Sequence, residues 1–166
     1  ADLAFVILSP TYVDALSAVG AEFLSVARTT MELNLPPAAE FVFSGYPWRK
    51  SKNHRRGEIE STRMDAHEEA LPDAEVAALG YDPRVNVAMR YDREKFRHGE
   101  TPITGPLPDG MSGGAIWQLS PEGIPILAGI ATTFDEPRRL MLGARVRPLL
   151  FRVRDTIRAQ LGLPPL

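Results

Sequence analysis

Apolar residues along this chain fall mostly into short runs, bounded by glycine, proline and polar clusters. Leu3 to Leu8 is apolar throughout and ends at Ser9-Pro10. Phe41 to Gly45, Val85 to Tyr91, Ala115 to Leu119, Ile124 to Thr133 and Leu140 to Val146 are further runs of strand length, rich in β-forming residues. Glu58 to Met64 alternates and predicts another strand. The turn at Ser120-Pro121-Glu122-Gly123 joins two of these runs into a hairpin. Helical spacing is rarer. Thr11 to Ala18 predicts a short helix capped by Thr11 and followed by Gly20, and Asp73 is placed to cap another through Leu79, ended by Gly80. From Arg147 to Leu161, with Pro148 in the first turn, Leu149, Leu150, Val153, Ile157 and Leu161 recur on one face. The pattern predicts a mainly β protein with a C-terminal helix whose apolar stripe faces the core.

The candidate chemistry sits at Gly110-Met111-Ser112-Gly113-Gly114, directly before a strand. A serine between glycines lets a reacting carbonyl approach the backbone with no Cβ in the way. The amides of Gly110 and Ser112 would be free to hold a developing oxyanion. The competing reading is an ordinary turn serine. A third reading, the strand-to-helix nucleophile elbow of the α/β-hydrolases, fails twice. The residues after Ser112 form a hairpin with no room for a helix, and all three histidines (His54, His67 and His98) precede the serine.

These ordered segments resemble a trypsin-like (chymotrypsin-fold) serine peptidase. Gly110 to Gly114 is similar to its nucleophile turn, and Leu127 to Thr133 to the strand along which substrate backbone is laid. Leu140 to Val146 resembles its last barrel strand, Arg147 to Leu161 its closing helix, and Phe41 to Pro47 the first strand of its second barrel. Asp2 to Leu8 resembles the segment that begins with the triad aspartate. The match spans nearly the whole chain, loosely over 11–40 and 48–100. The absence of cysteine and the methionine before the serine look more like bacterial intracellular members than secreted digestive enzymes.

The resemblance implies a chymotrypsin-like antiparallel β-barrel. Residues 1–40 would carry the last strand of the first barrel and the inter-barrel connection, and 41–166 the second barrel with its helix. It implies Ser112 as nucleophile, Asp2 as the orienting carboxylate, and Gly110 and Ser112 as the oxyanion hole. Substrate would lie along Thr132, Thr133 and Phe134. The family places its histidine before the aspartate, where this chain has only Ala1, so we expect a C-terminal portion of a longer enzyme, with the base in the missing barrel segment. His54, His67 and His98 read as solvated surface histidines. Met111 cannot form the ion pair that switches on many animal relatives, and as a residue type it suits a core gap.

The specificity pocket of such enzymes is set about six residues before the nucleophile, here Pro106. No carboxylate stands there for a basic side chain, although Asp109 is adjacent to the turn. With Phe134 and Met141 near the walls, a small or apolar residue is expected on the acyl side of the cleaved bond.

Composition narrows the classes. With 166 residues there is one domain's worth of chain, enough to build one real core. No apolar run approaches a membrane span. A net charge of −2 exerts no general pull on nucleic acid or anionic lipid. The basic run Arg49 to Arg56 reads as a surface loop, making nucleic acid an unexpected partner. Zero cysteines exclude disulfides and thiolate metal sites and fit a reducing, cytoplasmic compartment. No metal or cofactor is expected; the partner is a protein or peptide substrate. The alternative to a peptidase is a non-catalytic barrel that binds peptides or acts as a scaffold.

Overall fold

The computed structural model describes residues 8–25, 28–29, 40–47, 51–53, 59–61, 63–98 and 100–164. The expected strand at Leu3 to Leu8 lies outside them except for Leu8, which is exposed. The protein is mainly β. Among the described residues three α-helices, α1 (Pro10–Ala18), α2 (Asp73–Ala78) and α3 (Val146–Gln160), accompany ten strands. These are β1 (Glu40–Gly45), β2 (Ser51–Asn53), β3 (Ile59–Ser61), β4 (Met64–Glu69), β5 (Asn86–Arg90), β6 (Arg97–His98), β7 (Thr101–Pro102), β8 (Ala115–Leu119), β9 (Pro125–Asp135) and β10 (Leu140–Arg145).

Six strands form one antiparallel sheet in the order β4-β1-β8-β9-β10-β5. Its two edge strands meet at one end. Ala70 bridges to Met89, and the Leu71 N–H donates to the Ala88 carbonyl at 2.9 Å. The sheet therefore curls into a half-barrel around Phe41, Phe43, Val87, Met89, Tyr91, Met111, Ile116 and Met141. Outside the curl, α2 covers a second cluster of Leu71, Val76, Ala88, Leu140 and Leu142. Strand β10 is thus buried on both faces, which explains why it reads as apolar from Leu140 to Ala144.

The local elements depart from expectation in definite places. Ser9, not Thr11, caps α1: its hydroxyl accepts from the Tyr12 N–H, and Pro10 takes the first helical position, where its missing N–H costs nothing. Asp73 caps nothing. Pro72 stands at the cap of α2, and the Asp73 carboxylate accepts from Arg145 instead. The single strand expected over Glu58 to Met64 is instead two pieces, β3 and the start of β4, with Arg63 between them outside any strand. Strand β4 carries no strand pattern in sequence because Met-Asp-Ala-His-Glu-Glu buries only Ala66. The hairpin of β6 and β7 is too short to leave a pattern.

Helix α3 runs close to its expected span, but its stripe is shallower than expected. Only Val146 is buried; Leu149, Leu150, Val153 and Ile157 are half-buried, and Leu161 is exposed. The helix packs on β9 and β10, and Leu161 stands at its C-terminal cap, past the supporting strands. Helix α1 buries none of its residues. No helix among the described residues is long and apolar enough to cross a membrane.

Tyr91 closes one end of the core. Its ring meets Phe96 and Phe134 edge-on at 5.4 Å each, and Phe43 at 6.3 Å. Burial pushes its hydroxyl well above the ordinary phenol value, against a small opposing pull from Arg93. The folded state thus favours the neutral phenol. That contribution is complete below the unfolded value of about 10 and is lost as pH rises past it. Urea midpoints measured up the alkaline limb should fall above about pH 10, and Tyr91→Phe, with nothing to ionise, should flatten that fall.

Candidate active site

Ser112 lies at a bend between Gly105–Asp109 and strand β8. The chain turns at Asp109-Gly110 and again at Ser112-Gly113, then enters β8 at Ala115. Gly110 and Gly113 have φ of +80° and +91°, a region that L side chains avoid, so the double turn needs glycine at both. Between them Met111 points inward and is buried in the core, while Ser112 is exposed. One residue anchors the turn and the next presents its hydroxyl.

Three main-chain bonds hold the bend. The Met111 N–H donates to the Pro108 carbonyl at 3.0 Å, Gly114 to Met111 at 2.9 Å, and Gly113 to Ala131 on β9 at 2.8 Å. The N–H groups of Gly110 and Ser112 donate to no partner among the described residues. Two main-chain donors beside one exposed hydroxyl can stabilise negative charge on a bound oxygen.

Strand β9 supplies the second wall. Between Leu142 and Gly143 of β10 the register slips, leaving Thr132 as the extra residue of a β-bulge. The Thr132 carbonyl accepts from Ser112 Oγ at 3.5 Å, and Thr132 Oγ1 donates to the Leu142 carbonyl at 3.4 Å. Strand β8 begins at Ala115 opposite Ile130, so β9 extends past it, and Thr133 to Asp135 pair only with β10. Thr133 is exposed on this stretch. An open strand edge next to a hydroxyl suits an extended peptide.

A cavity of about 770 Å³ opens along the outer face of β4, β1 and β8. Gly110 to Ala115, Val42, Ser44, Trp117, Asp65 and His67 line it. His67 thus shares a cavity with Ser112 but not its neighbourhood. His67 pairs with Val42 of β1, and Val42 pairs with Trp117 of β8. Two strand spacings of about 4.8 Å therefore separate it from the strand that follows the turn. Its Nδ1 lies 3.7 Å from Glu40, and the side chain is 59% exposed. Near it, partial burial pushes the Asp65 carboxyl up, but hydrogen bonds from Arg63 and Ser44 and the Arg63 charge outweigh this and hold it below the usual carboxylate range.

Of the residues singled out from sequence, the fold brings Ser112, Gly110 and Thr132 together, with Thr133 and Phe134 next along β9. Asp2 and His54 lie outside the described residues, as do Arg49, Lys50, Arg55 and Arg56 of the basic run. His98 is in β6. Pro106 and Phe134 flank Tyr91, whose hydroxyl donates to the Pro106 carbonyl at 3.1 Å. Met141 is buried in the core, so it backs this region from inside. Nothing in the sequence points Tyr91 to this place, because it ends an ordinary half-buried strand pattern fifteen residues before Pro106. Among the described residues no group of acidic or histidine side chains could hold a metal ion. The chain matches no known family model and no curated protein.

Proposed function

We propose that this chain carries the nucleophile half of a chymotrypsin-like serine endopeptidase. The observation that carries the reading is the exposed Ser112 hydroxyl beside the N–H groups of Gly110 and Ser112, which have no partner among the described residues. In this reading Ser112 Oγ attacks a peptide carbonyl, and its proton passes to an imidazole. The oxyanion is held by the two amides, and the amine leaves once the imidazole returns the proton. Substrate lies along Thr132 to Phe134 as an added strand. The Met111 side chain, packed in the core, holds the Gly110 amide in place without an ion pair.

In this reading the imidazole is held by Asp2, and His67, two strands from the turn and beside Glu40, is not that group. The outer face of β4, β1 and β8 is the surface on which the segment bearing that imidazole would rest. A second reading, a peptide-binding barrel without catalysis, is favoured by one observation: Ser112 Oγ donates to the Thr132 carbonyl and not to a base among the described residues. A fluorophosphonate probe separates the two. Labelling mapped to Ser112 by peptide mass in the intact protein supports the peptidase, and an unlabelled intact protein supports the binding module.

A further inference from the structure

We propose that the cleft beside Ser112 accepts only a small side chain (hydrogen or methyl) on the acyl side of the scissile bond, because Tyr91 fills the space a larger one would need. The inference rests on the peptidase reading and names its substrate class.

A peptide lying along the open edge of Thr132 to Asp135, with its carbonyl oxygen toward the Gly110 and Ser112 amides, has its acyl-side substituent directed between two segments. One is β9 at Thr132 to Phe134; the other is Gly105 to Asp109, which leads into the turn. Tyr91 spans the gap between them. Its hydroxyl donates to the Pro106 carbonyl at 3.1 Å, and its ring meets the Phe134 ring edge-on at 5.4 Å. Its side chain is fully shielded from solvent.

The surrounding contacts prevent this side chain from swinging aside. Phe96 packs on its other side at 5.4 Å. The Gly105 to Pro106 segment is itself tied to the Tyr91 neighbourhood: the Gly105 N–H donates to the Arg93 carbonyl, and Arg93 Nε donates to the Gly105 carbonyl, each at 2.7 Å. Gly105 sits so close to Phe96 that a Cβ there would lie 2.4 Å from the ring. A large substituent would have to break these bonds or overpack the aromatic cluster, and well-packed cores resist both. Beyond Tyr91 is a cavity of about 210 Å³, also walled by Thr104 and Phe134. Trimming Tyr91 would join it to the acyl-side gap.

The test uses diphenyl phosphonates of the intact protein's active serine, with hydrogen, methyl, isobutyl or benzyl on the carbon bonded to phosphorus. In the labelling step a Ser112 Oγ–P bond forms, phenoxide leaves, and the serine proton passes to the base. The methyl probe should react at least about 50-fold faster than the benzyl probe. Tyr91→Ala should raise the benzyl rate relative to methyl by a similar factor, while Tyr91→Phe should leave the ratio nearly unchanged. Equal methyl and benzyl rates on a protein that a simple fluorophosphonate labels at Ser112 would overturn the size limit and leave the nucleophile standing. Failure of every probe, the simple fluorophosphonate included, would overturn both. If Tyr91→Ala does not fold, the size series on the unaltered protein decides alone.

Discussion

On the proposed peptidase reading, replacing Ser112 with alanine in the intact protein should lower peptide hydrolysis by about 10⁴-fold or more and remove fluorophosphonate labelling, with little change in KM. The size follows from the way a nucleophile, its base and the oxyanion donors act as a unit: once the attacking oxygen is gone, the remaining members supply only the modest rate that oxyanion stabilisation and binding give alone. KM is spared because the open edge of β9 and the Gly110 amide, which would bind substrate, do not depend on the hydroxyl. The substitution is also mild for the fold. Ser112 is exposed, its hydroxyl's hydrogen bond to the Thr132 carbonyl is long at 3.5 Å, and the positive φ values belong to its glycine neighbours. Unchanged circular dichroism and thermal midpoint alongside the lost activity would attribute the effect to chemistry. Retained hydrolysis in Ser112→Ala would remove the nucleophile from this site.

Asp73→Ala lowers stability by roughly 3 kcal/mol, and the double variant with Arg145→Met recovers much of the loss. Arg145 is only 3% exposed, donates to the Asn86 carbonyl at 3.1 Å, and has the Asp73 carboxylate as its counter-charge. Burial pulls its guanidinium down from the ordinary arginine value, and Asp73 pulls it back up. Stripping one partner from such a pair leaves a charge that the interior cannot solvate, which costs roughly 3–5 kcal/mol. The lower end applies because water reaches Asp73, which is 31% exposed. Methionine at 145 removes the stranded charge and fills similar volume, so the penalty shrinks. Urea midpoints of the two single variants and the double variant measure the coupling. In thermal terms the single change corresponds to about 6–12 °C for a chain of this size. Additive losses in the double variant would show that the pair contributes no coupling.

Most of the sheet could be read before any coordinates. Ala115 to Leu119, Ile124 to Thr133 and Leu140 to Val146 each lie within a residue or two of an observed strand, because their apolar residues face an interior that the pattern alone implies. The double turn at Gly110 to Gly114 was legible for a similar reason, since two glycines there relieve a backbone conformation that other residues resist. Strand β4 was not. Its outward residues are polar, and only Ala66 is buried, with Met64 packed partly against the core, so hydrogen bonds from β1 make it a strand where its own composition does not.

The local pattern of residues was enough for the half-barrel's apolar segments, its closing helix and a serine set between positive-φ glycines, since each depends on neighbours a few positions away. Three-dimensional packing alone assigned Asp73 to Arg145, 72 residues distant, instead of to a helix cap. It also placed the Thr132 bulge under Ser112, put Tyr91 against Pro106, and set His67 two strands away from the hydroxyl. These arrangements depend on strand order and register, which bring together side chains that no short window of sequence contains.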